Sequence, residues 1–369
     1  MAAIVIAAGG TGGHVYPALA VAAELKELAP DSPIVFMGTA NGFESRVVPA
    51  GGWAFESVKA YAWRRSRPWT LVSAAVGAVA GAWNASALLR RHCSGVVFST
   101  GGYASAPVLL AAVVSGVPIV LHEPNAQPGV VTRIFGRLAS RITVVSGEAG
   151  RFFPVSRTEV TGVPVRRSLF SAGREAARKK LGLTGEFTLL VLGGSQGAAA
   201  INSAMESALP LLAEARGRIS IIWVCGRRDF ERARTVAASA PVSVVPYSYI
   251  DDMGSILPAC DAVVGRAGAS ATAEMLVAGL PALLVPYPYA AADHQRRNAE
   301  AIERAGAAKV LPEATLSGGS LAREILDLAG DPARLSTMAD CARTTGKPDA
   351  ARIVARAVLD AMKGRPATC

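Results

Sequence analysis

Four glycines, a threonine and a histidine stand together near the start of the chain, as Gly9-Gly10-Thr11-Gly12-Gly13-His14. They follow an apolar run at residues 4–7 and open a helical pattern that reaches about residue 28. Glycine lets a backbone approach a phosphate closely, and the unpaired N–H groups of a helix N-terminus bind anions. The spacing is not G-x-G-x-x-G, and no lysine follows as it does in a P-loop. The loop is expected to hold a diphosphate or the sugar attached to one.

Three further segments carry the same chemistry. Ser99-Thr100-Gly101-Gly102-Tyr103-Ala104-Ser105 follows a β-branched run and precedes a helical one, so Gly101, Gly102 and Tyr103 join the first loop as candidates for an anion pocket. Gly193-Gly194-Ser195-Gln196-Gly197 repeats the arrangement in the second half, with Ser195 adding a hydroxyl and Asn202 inside the helix that follows. The run Gly265-Arg266-Ala267-Gly268-Ala269-Ser270-Ala271-Thr272-Ala273-Glu274 offers small residues against which a nucleotide can lie. Its Glu274, one to two turns into a helix, suits ribose hydroxyls or else is an ordinary solvated helix residue.

The elements that must position these loops alternate. Strands are expected at residues 4–7, 34–37, 96–99, 118–121 and 142–145, with helical patterns between them. The series restarts at residues 187–192 and continues at 219–224, 242–245, 261–264, 282–285 and 308–311. Such alternation implies βαβ units and parallel sheets. Each half opens strand, glycine loop, helix, so two doubly wound α/β domains are expected, joined near residues 161–167. Residues 348–362 read as a final helix that could cross back to the first domain.

Composition agrees with that plan. A chain of 369 residues is long for one core and right for two. With 51% hydrophobic and 18% charged residues it is a packed globular protein. Five widely spaced cysteines suggest neither a disulfide framework nor a zinc site, and the four scattered histidines suggest no metal cluster. No signal peptide is read at the start, and the apolar stretch at residues 71–89 is too interrupted for a bilayer span. The net charge of +10 points to anionic partners. No acid occurs between Glu56 and Glu123, where Lys59, Arg64, Arg65, Arg67, Arg90 and Arg91 all lie. No nucleic-acid motif accompanies that charge, so nucleic acid is not an expected partner.

Taken in order, GGTGGHVYPALAVA, STGGYASAP, LHEPN, TGVPVR, GGSQGA, YIDDM, RAGASATAE and DHQRRNA closely resemble the MurG glycosyltransferase family, over nearly the whole chain. The resemblance implies a GT-B fold, two Rossmann-like domains separated by a cleft. Residues 1–160 with 346–369 would bind the acceptor and dock on the membrane, and residues 161–345 would bind the UDP-sugar. The implied reaction moves N-acetylglucosamine from UDP-GlcNAc to the C4 hydroxyl of the muramoyl sugar of undecaprenyl-diphospho-MurNAc-pentapeptide, converting lipid I to lipid II for peptidoglycan. UDP-GlcNAc is then a substrate, with no cofactor and no essential metal. The implied location is peripheral, at the cytoplasmic face of the plasma membrane, with other cell-wall synthesis proteins as partners.

Carried over by motif, Arg166 and Ile250 would lie near the nucleotide, with Ser195, Gln196 and Ala269 at the diphosphate and Glu274 at the ribose. Gln295 would bind the sugar hydroxyls, with Asn125, Thr11, Gly12 and Gly13 on the other side of the donor. Gly10, Gly101, Gly102 and Tyr103 would meet the acceptor. The chain departs from many relatives at Pro124, which lacks an N–H, at His294 beside Gln295, and at Ala271, which lacks a hydroxyl. An α-linked donor and a β-linked product imply inversion in one displacement, which needs a general base. His14 closes the acceptor-side loop, and imidazole titrates near neutral pH. Glu123 is the alternative, with a basic neighbourhood expected to hold its pKa low. His122 is read as structural.

A last feature lies between Trp63 and Trp83. Arg64, Arg65, Arg67 and Trp69 precede Val72, Val76, Val79 and Trp83, which follow helical spacing. Apolar residues beside arginines suit an interfacial helix on anionic lipid. Gly77 and Gly81 are read as a site of close helix packing. The rival readings are a different lipid-acceptor UDP-sugar transferase, a UDP-sugar epimerase on a related two-domain scaffold, and a catalytically silent UDP-sugar sensor.

Overall fold

The computed structural model describes residues 2–61, 70–170, 173–194, 197–250, 252–290 and 293–363, without the side chains of residues 70–75. The chain divides into two compact units, Met1–Arg166 with Lys347–Cys369, and Arg167–Gly346.

The first unit is built on seven parallel strands: β1 (Ala3–Ala8), β2 (Ile34–Gly38), β3 (Ala54–Ser57), β4 (Ser94–Gly101), β5 (Ile119–Glu123), β6 (Arg141–Val144) and β7 (Thr158–Val160). They lie in the order β3-β2-β1-β4-β5-β6-β7. Helices α1 (Gly12–Leu28), α2 (Glu44–Ala50), α3 (Thr70–Arg91), α4 (Ala106–Ser115), α5 (Val130–Phe135) and α6 (Gly147–Gly150) connect them. Alternation along β1 separates two cores. Ile4 and Ile6 pack with Val15, Leu19 and Leu25 of α1 on one face. Val5 and Ala7 pack with Ala85 and Leu89 of α3 and Leu109 of α4 on the other. The edge strands β3 and β7 are half-exposed and short, so they lack the apolar run that made the inner strands legible.

The second unit repeats the plan with six parallel strands: β8 (Phe187–Leu192), β9 (Ile219–Val224), β10 (Ser243–Tyr247), β11 (Ala262–Gly265), β12 (Ala282–Leu284) and β13 (Ala308–Val310). Their order is β10-β9-β8-β11-β12-β13. Its helices are α7 (Arg174–Lys180), α8 (Ala199–Ala208), α9 (Phe230–Ala238), α10 (Ala269–Val277), α11 (His294–Arg304), α12 (Gly318–Gly330) and α13 (Pro332–Thr345). One core joins Leu189, Val191 and the fully buried Trp223 to Ile201, Met205, Leu321 and Ile325.

The last helix, α14 (Ala350–Lys363), returns to the first unit. Val354, Ala355 and Val358 fall on one stripe and enter the core beneath α1. Arg352 reaches the buried Glu24 of α1 at 3.4 Å. Thr161 and Gly162 donate to the Val144 carbonyl of β6, and the first unit runs on to Arg166.

In each unit the strand order reverses once, between β1 and β4 and between β8 and β11. Ligands of open α/β sheets bind at such reversals, beyond the carboxyl ends of the strands. All four segments read from the sequence as binding loops follow these four strands. Among the described residues no helix is long and apolar enough to cross a membrane. Cys93 is disulfide-bonded while Cys225, Cys260 and Cys341 are free, which cysteine spacing did not suggest.

Candidate active site

The first loop leaves β1 through Gly10, whose φ of +93° favours glycine. Thr11 then takes the extended conformation that starts α1. His14 sits in the first turn, held twice by β4. Its Nδ1 lies 2.8 Å from the Thr100 carbonyl oxygen, and the Thr100 hydroxyl donates to the His14 carbonyl at 2.8 Å. A carbonyl only accepts, so neutral His14 carries its proton on Nδ1 and presents Nε2 as the basic nitrogen.

The second loop locks against the first. Gly102 has a φ of +86° and a ψ of 157°, and a Cβ there would collide with the Gly9 carbonyl oxygen. The Tyr103 ring packs against Gly10, and Gly101 donates its N–H to the Ser99 hydroxyl at 3.0 Å. Gly10, Gly101, Gly102, Tyr103 and His14 are therefore brought together. The Gly10 N–H is taken by the Glu44 carboxylate at 2.9 Å, so it is not a donor for an anion.

Beside them, β5 ends in two buried titratable residues. The His122 Nδ1 lies 3.0 Å from the Thr143 hydroxyl, which itself donates to the Leu121 carbonyl. Nδ1 thus carries the proton and donates, and Nε2 is buried with no hydrogen-bond partner. Burial, together with the nearby His14, pushes the His122 pKa down to about 3. Glu123 accepts at one oxygen from the N–H and side-chain amide of Asn125, at 3.0 and 3.1 Å. Its other oxygen takes the Gly129 N–H at 3.1 Å, and the Thr132 hydroxyl bonds it too. Burial raises its pKa against the pull of these donors. The low pKa expected from neighbouring arginines fails because the carboxyl is removed from solvent, where desolvation outweighs distant charge.

Arg166, the last residue of the first unit, lies with its guanidinium 5.0 Å over the Tyr16 ring of α1. Its Nε is buried without a partner.

In the second unit, the loop after β8 is described at Gly193, Gly194 and Gly197, while Ser195 and Gln196 lie outside the described residues. Asn202 fastens the neighbouring loop by donating to the Cys225 carbonyl at 2.8 Å and accepting from Trp223 at 3.1 Å. Ala269 is buried at the first position of α10, with Gly268 extended before it, and Glu274 is half-buried further along that helix. Ile250 is half-buried after β10. Gln295, in the first turn of α11, accepts the Tyr287 N–H at 3.0 Å through Oε1, which fixes the orientation of its amide. Arg266 closes this side, bonded to the Val285 and Pro286 carbonyls and to Glu313.

Residues 4–144 match the glycosyltransferase family 28 N-terminal domain, and residues 188–354 match the family 28 C-terminal domain. The UDP-N-acetylglucosamine–N-acetylmuramyl-(pentapeptide) pyrophosphoryl-undecaprenol N-acetylglucosamine transferase of Moorella thermoacetica is 42% identical, over 96% of this chain and 98% of its own length. The transferase of the same name from Chlorobaculum parvum is 40% identical, over 96% of this chain and 98% of its own.

The chain belongs to this MurG family of glycosyltransferases.

Its fold is GT-B. The Acinetobacter baumannii MurG crystal structure superposes with a TM-score of 0.77 at 26% identity, covering 98% of this chain and 100% of that one. A Listeria monocytogenes structure described as a putative UDP-N-acetylglucosamine 2-epimerase reaches 0.72 at 14% identity, covering 100% of this chain and 98% of that one, and shares the fold alone.

Of the MurG-family residues read for membrane contact, Arg64, Arg65, Arg67 and Trp69 lie outside the described residues, as does the side chain of Val72. Val76, Val79 and Trp83 are exposed on α3, Trp83 by 85%. Gly77 and Gly81 face the other way, where a Cβ would collide with the Tyr61 ring and the Lys59 carbonyl oxygen. Sequence reading missed Glu44 and its partner Thr39, because Glu44 acts on Gly10, 34 positions earlier. No local pattern around them signals a site.

Proposed function

We propose that the chain transfers N-acetylglucosamine from UDP-GlcNAc to the C4 hydroxyl of the muramoyl sugar of undecaprenyl-diphospho-MurNAc-pentapeptide, with inversion at the anomeric carbon. The observation that carries this reading is 42% identity across 96% of the chain to a transferase of that name. The glycine loops at both strand-order reversals support it.

In this reading the second unit holds the donor. Ile250 meets the uracil through its backbone, Glu274 the ribose, and Ser195, Gln196 and Ala269 the diphosphate. Gln295, its Oε1 engaged by Tyr287, offers its NH₂ to sugar hydroxyls. Arg166, Asn125, Thr11, Gly12 and Gly13 complete the donor contacts, and Gly101, Gly102 and Tyr103 serve the acceptor, with Gly10 shaping their loop. The C4 hydroxyl loses its proton to His14 Nε2. Its oxygen bonds to the anomeric carbon as the bond from that carbon to the UDP oxygen breaks, and UDP leaves with the electron pair. N–H groups at helix N-termini stabilise the departing diphosphate, without an essential metal. Glu123 acts as the fastener of residues 124–129, since protein donors engage both of its oxygens. Exposed Val76, Val79 and Trp83 dock on anionic lipid, which places the enzyme peripherally at the membrane.

Incubation with UDP-GlcNAc and a lipid I analogue tests this. The expected product is the disaccharide lipid with release of UDP. Formation of UDP-N-acetylmannosamine without any transfer would favour the epimerase reading instead. Turnover abolished by EDTA and restored by Mg²⁺ would overturn the metal-free step.

A further inference from the structure

Glu44 is fully buried, at 0% exposure, and has no part in the reaction as described so far. Its carboxylate accepts three hydrogen bonds. One oxygen takes the Thr39 N–H at 2.8 Å and the Thr39 hydroxyl at 2.7 Å. The other takes the Gly10 N–H at 2.9 Å, from a residue 34 positions earlier. Three glycines make the room, since a Cβ at Gly9, Gly38 or Gly42 would collide with the Glu44 side chain.

The neighbouring Phe43 meets the ring of Tyr16 edge-on at 5.8 Å. Residues 43 and 44 thus brace the loop at both ends. Glu44 holds Gly10 where the chain leaves β1, and Phe43 holds α1 two residues beyond His14. From the opposite side, Thr100 holds His14 itself. The imidazole is set by a loop gripped between the end of β2 and the end of β4.

A buried carboxylate is costly unless its lone pairs are met, and here three donors meet them; an apolar side chain would leave the Gly10 and Thr39 donors without an acceptor. The carboxylate also adds direction. It orients the Gly10 amide, and with it the turn that delivers His14.

We propose that Glu44 is a positioning residue for glycosyl transfer, holding the first glycine loop so that His14 Nε2 faces the acceptor hydroxyl. The proposal rests on the reading of His14 as the base. Glu44→Gln keeps the shape but offers one acceptor oxygen and an NH₂, which must face either the Gly10 or the Thr39 N–H. Donor then opposes donor, and the loop is released on that side. Thr39→Val removes only the hydroxyl contact.

The test compares wild type, Glu44→Gln, Thr39→Val and His14→Ala by turnover of a lipid I analogue, by UDP affinity in calorimetry, and by imidazole ¹⁵N NMR. With four histidines in the chain, the His14 signals are assigned by their loss in His14→Ala. Glu44→Gln should lower kcat about 100-fold, the scale of a small misplacement of a reacting group. It should shift the His14 signals while leaving UDP affinity and the His92 and His294 signals in place. Thr39→Val should do the same to a smaller extent, and it carries the test if Glu44→Gln does not fold. A loss of UDP affinity and a shift of all histidines together would mean a merely structural role and overturn the proposal. Unmoved His14 signals, or moved signals with wild-type kcat, would overturn it as well. If His14→Ala keeps its rate, the base reading falls separately, while shifted His14 signals in Glu44→Gln would still place that ring under the control of Glu44.

Discussion

His14 Nδ1 and the Thr100 carbonyl oxygen are 2.8 Å apart, and this contact sets which nitrogen of the ring is basic. With its proton directed at β4, the neutral imidazole has its lone pair on Nε2. His14→Ala should lower kcat by about 10²–10⁴-fold, the usual contribution of a positioned base. UDP affinity should stay near wild type, because the nucleotide contacts of the proposed mechanism lie mainly in the other unit. A variant that retains the wild-type rate removes His14 from the mechanism.

Glu123→Gln separates a fastener from a base. Gln has one acceptor oxygen for the donors that now converge from Asn125, Gly129 and Thr132. Leaving a buried donor unmet costs about 1–3 kcal/mol, so denaturant midpoints should fall. Thr132→Val should lower stability in the same direction. If Glu123→Gln abolishes turnover with no change in stability, Glu123 is the base after all.

His122 makes the fold acid-sensitive. Its folded pKa of about 3 lies below the ordinary histidine value, so between pH 6.5 and 3 the unfolded chain binds a proton that the folded chain does not. Stability contributed by neutral His122 is therefore present above pH 6.5 and lost as pH falls, at about 1.4 kcal/mol per unit. Glu123 works in the opposite sense. Its raised pKa lets the folded state hold a proton longer, which costs stability as pH rises above the usual carboxylate range. His122→Asn removes only the first effect, so unfolding free energies at pH 7 and pH 5 should differ less than in wild type. An unchanged slope would refute the assignment.

Gly102→Ala should damage the site more than its size suggests. The backbone there, at φ +86° and ψ 157°, is a conformation nearly confined to glycine, costing about 1–3 kcal/mol for other residues. The new methyl would also strike the Gly9 carbonyl and part the two loops. Reduced turnover with unchanged UDP affinity is expected. Full activity would mean that the loops work independently.

Trp83 is 85% exposed, so its removal should spare the fold while weakening lipid contact. Trp83→Ala should reduce binding to anionic vesicles about tenfold or more, from the ~1.5–3 kcal/mol of a buried apolar side chain. Flotation with anionic and neutral vesicles measures this. Equal binding by wild type and variant would remove α3 from the docking surface.

The glycine turns were legible because glycine chemistry is local. A strand that runs into Gly9–Gly13, or into Gly193–Gly197, announces a close backbone approach from its own few residues. The inner strands were legible for a similar reason, being short apolar runs buried on both faces. Strands β3 and β7 were not, because each is very short and holds a glutamate, Glu56 or Glu159, where an apolar run would have to stand.

Residue types and spacing alone pointed to two α/β lobes and four candidate binding loops, and the family resemblance added His14 and Glu123 as the possible bases. Tertiary structure decided how those pieces are held. Strand order places the loops at the two reversals, and strand order arises from pairing between segments distant in the chain. Thr100 lies 86 positions from the His14 that it orients, and Glu44 lies 34 from the Gly10 that it holds. Hydrogen bonds of that reach leave no local periodicity. Whether a carboxylate is a base or a fastener depends on how many donors the fold turns toward it.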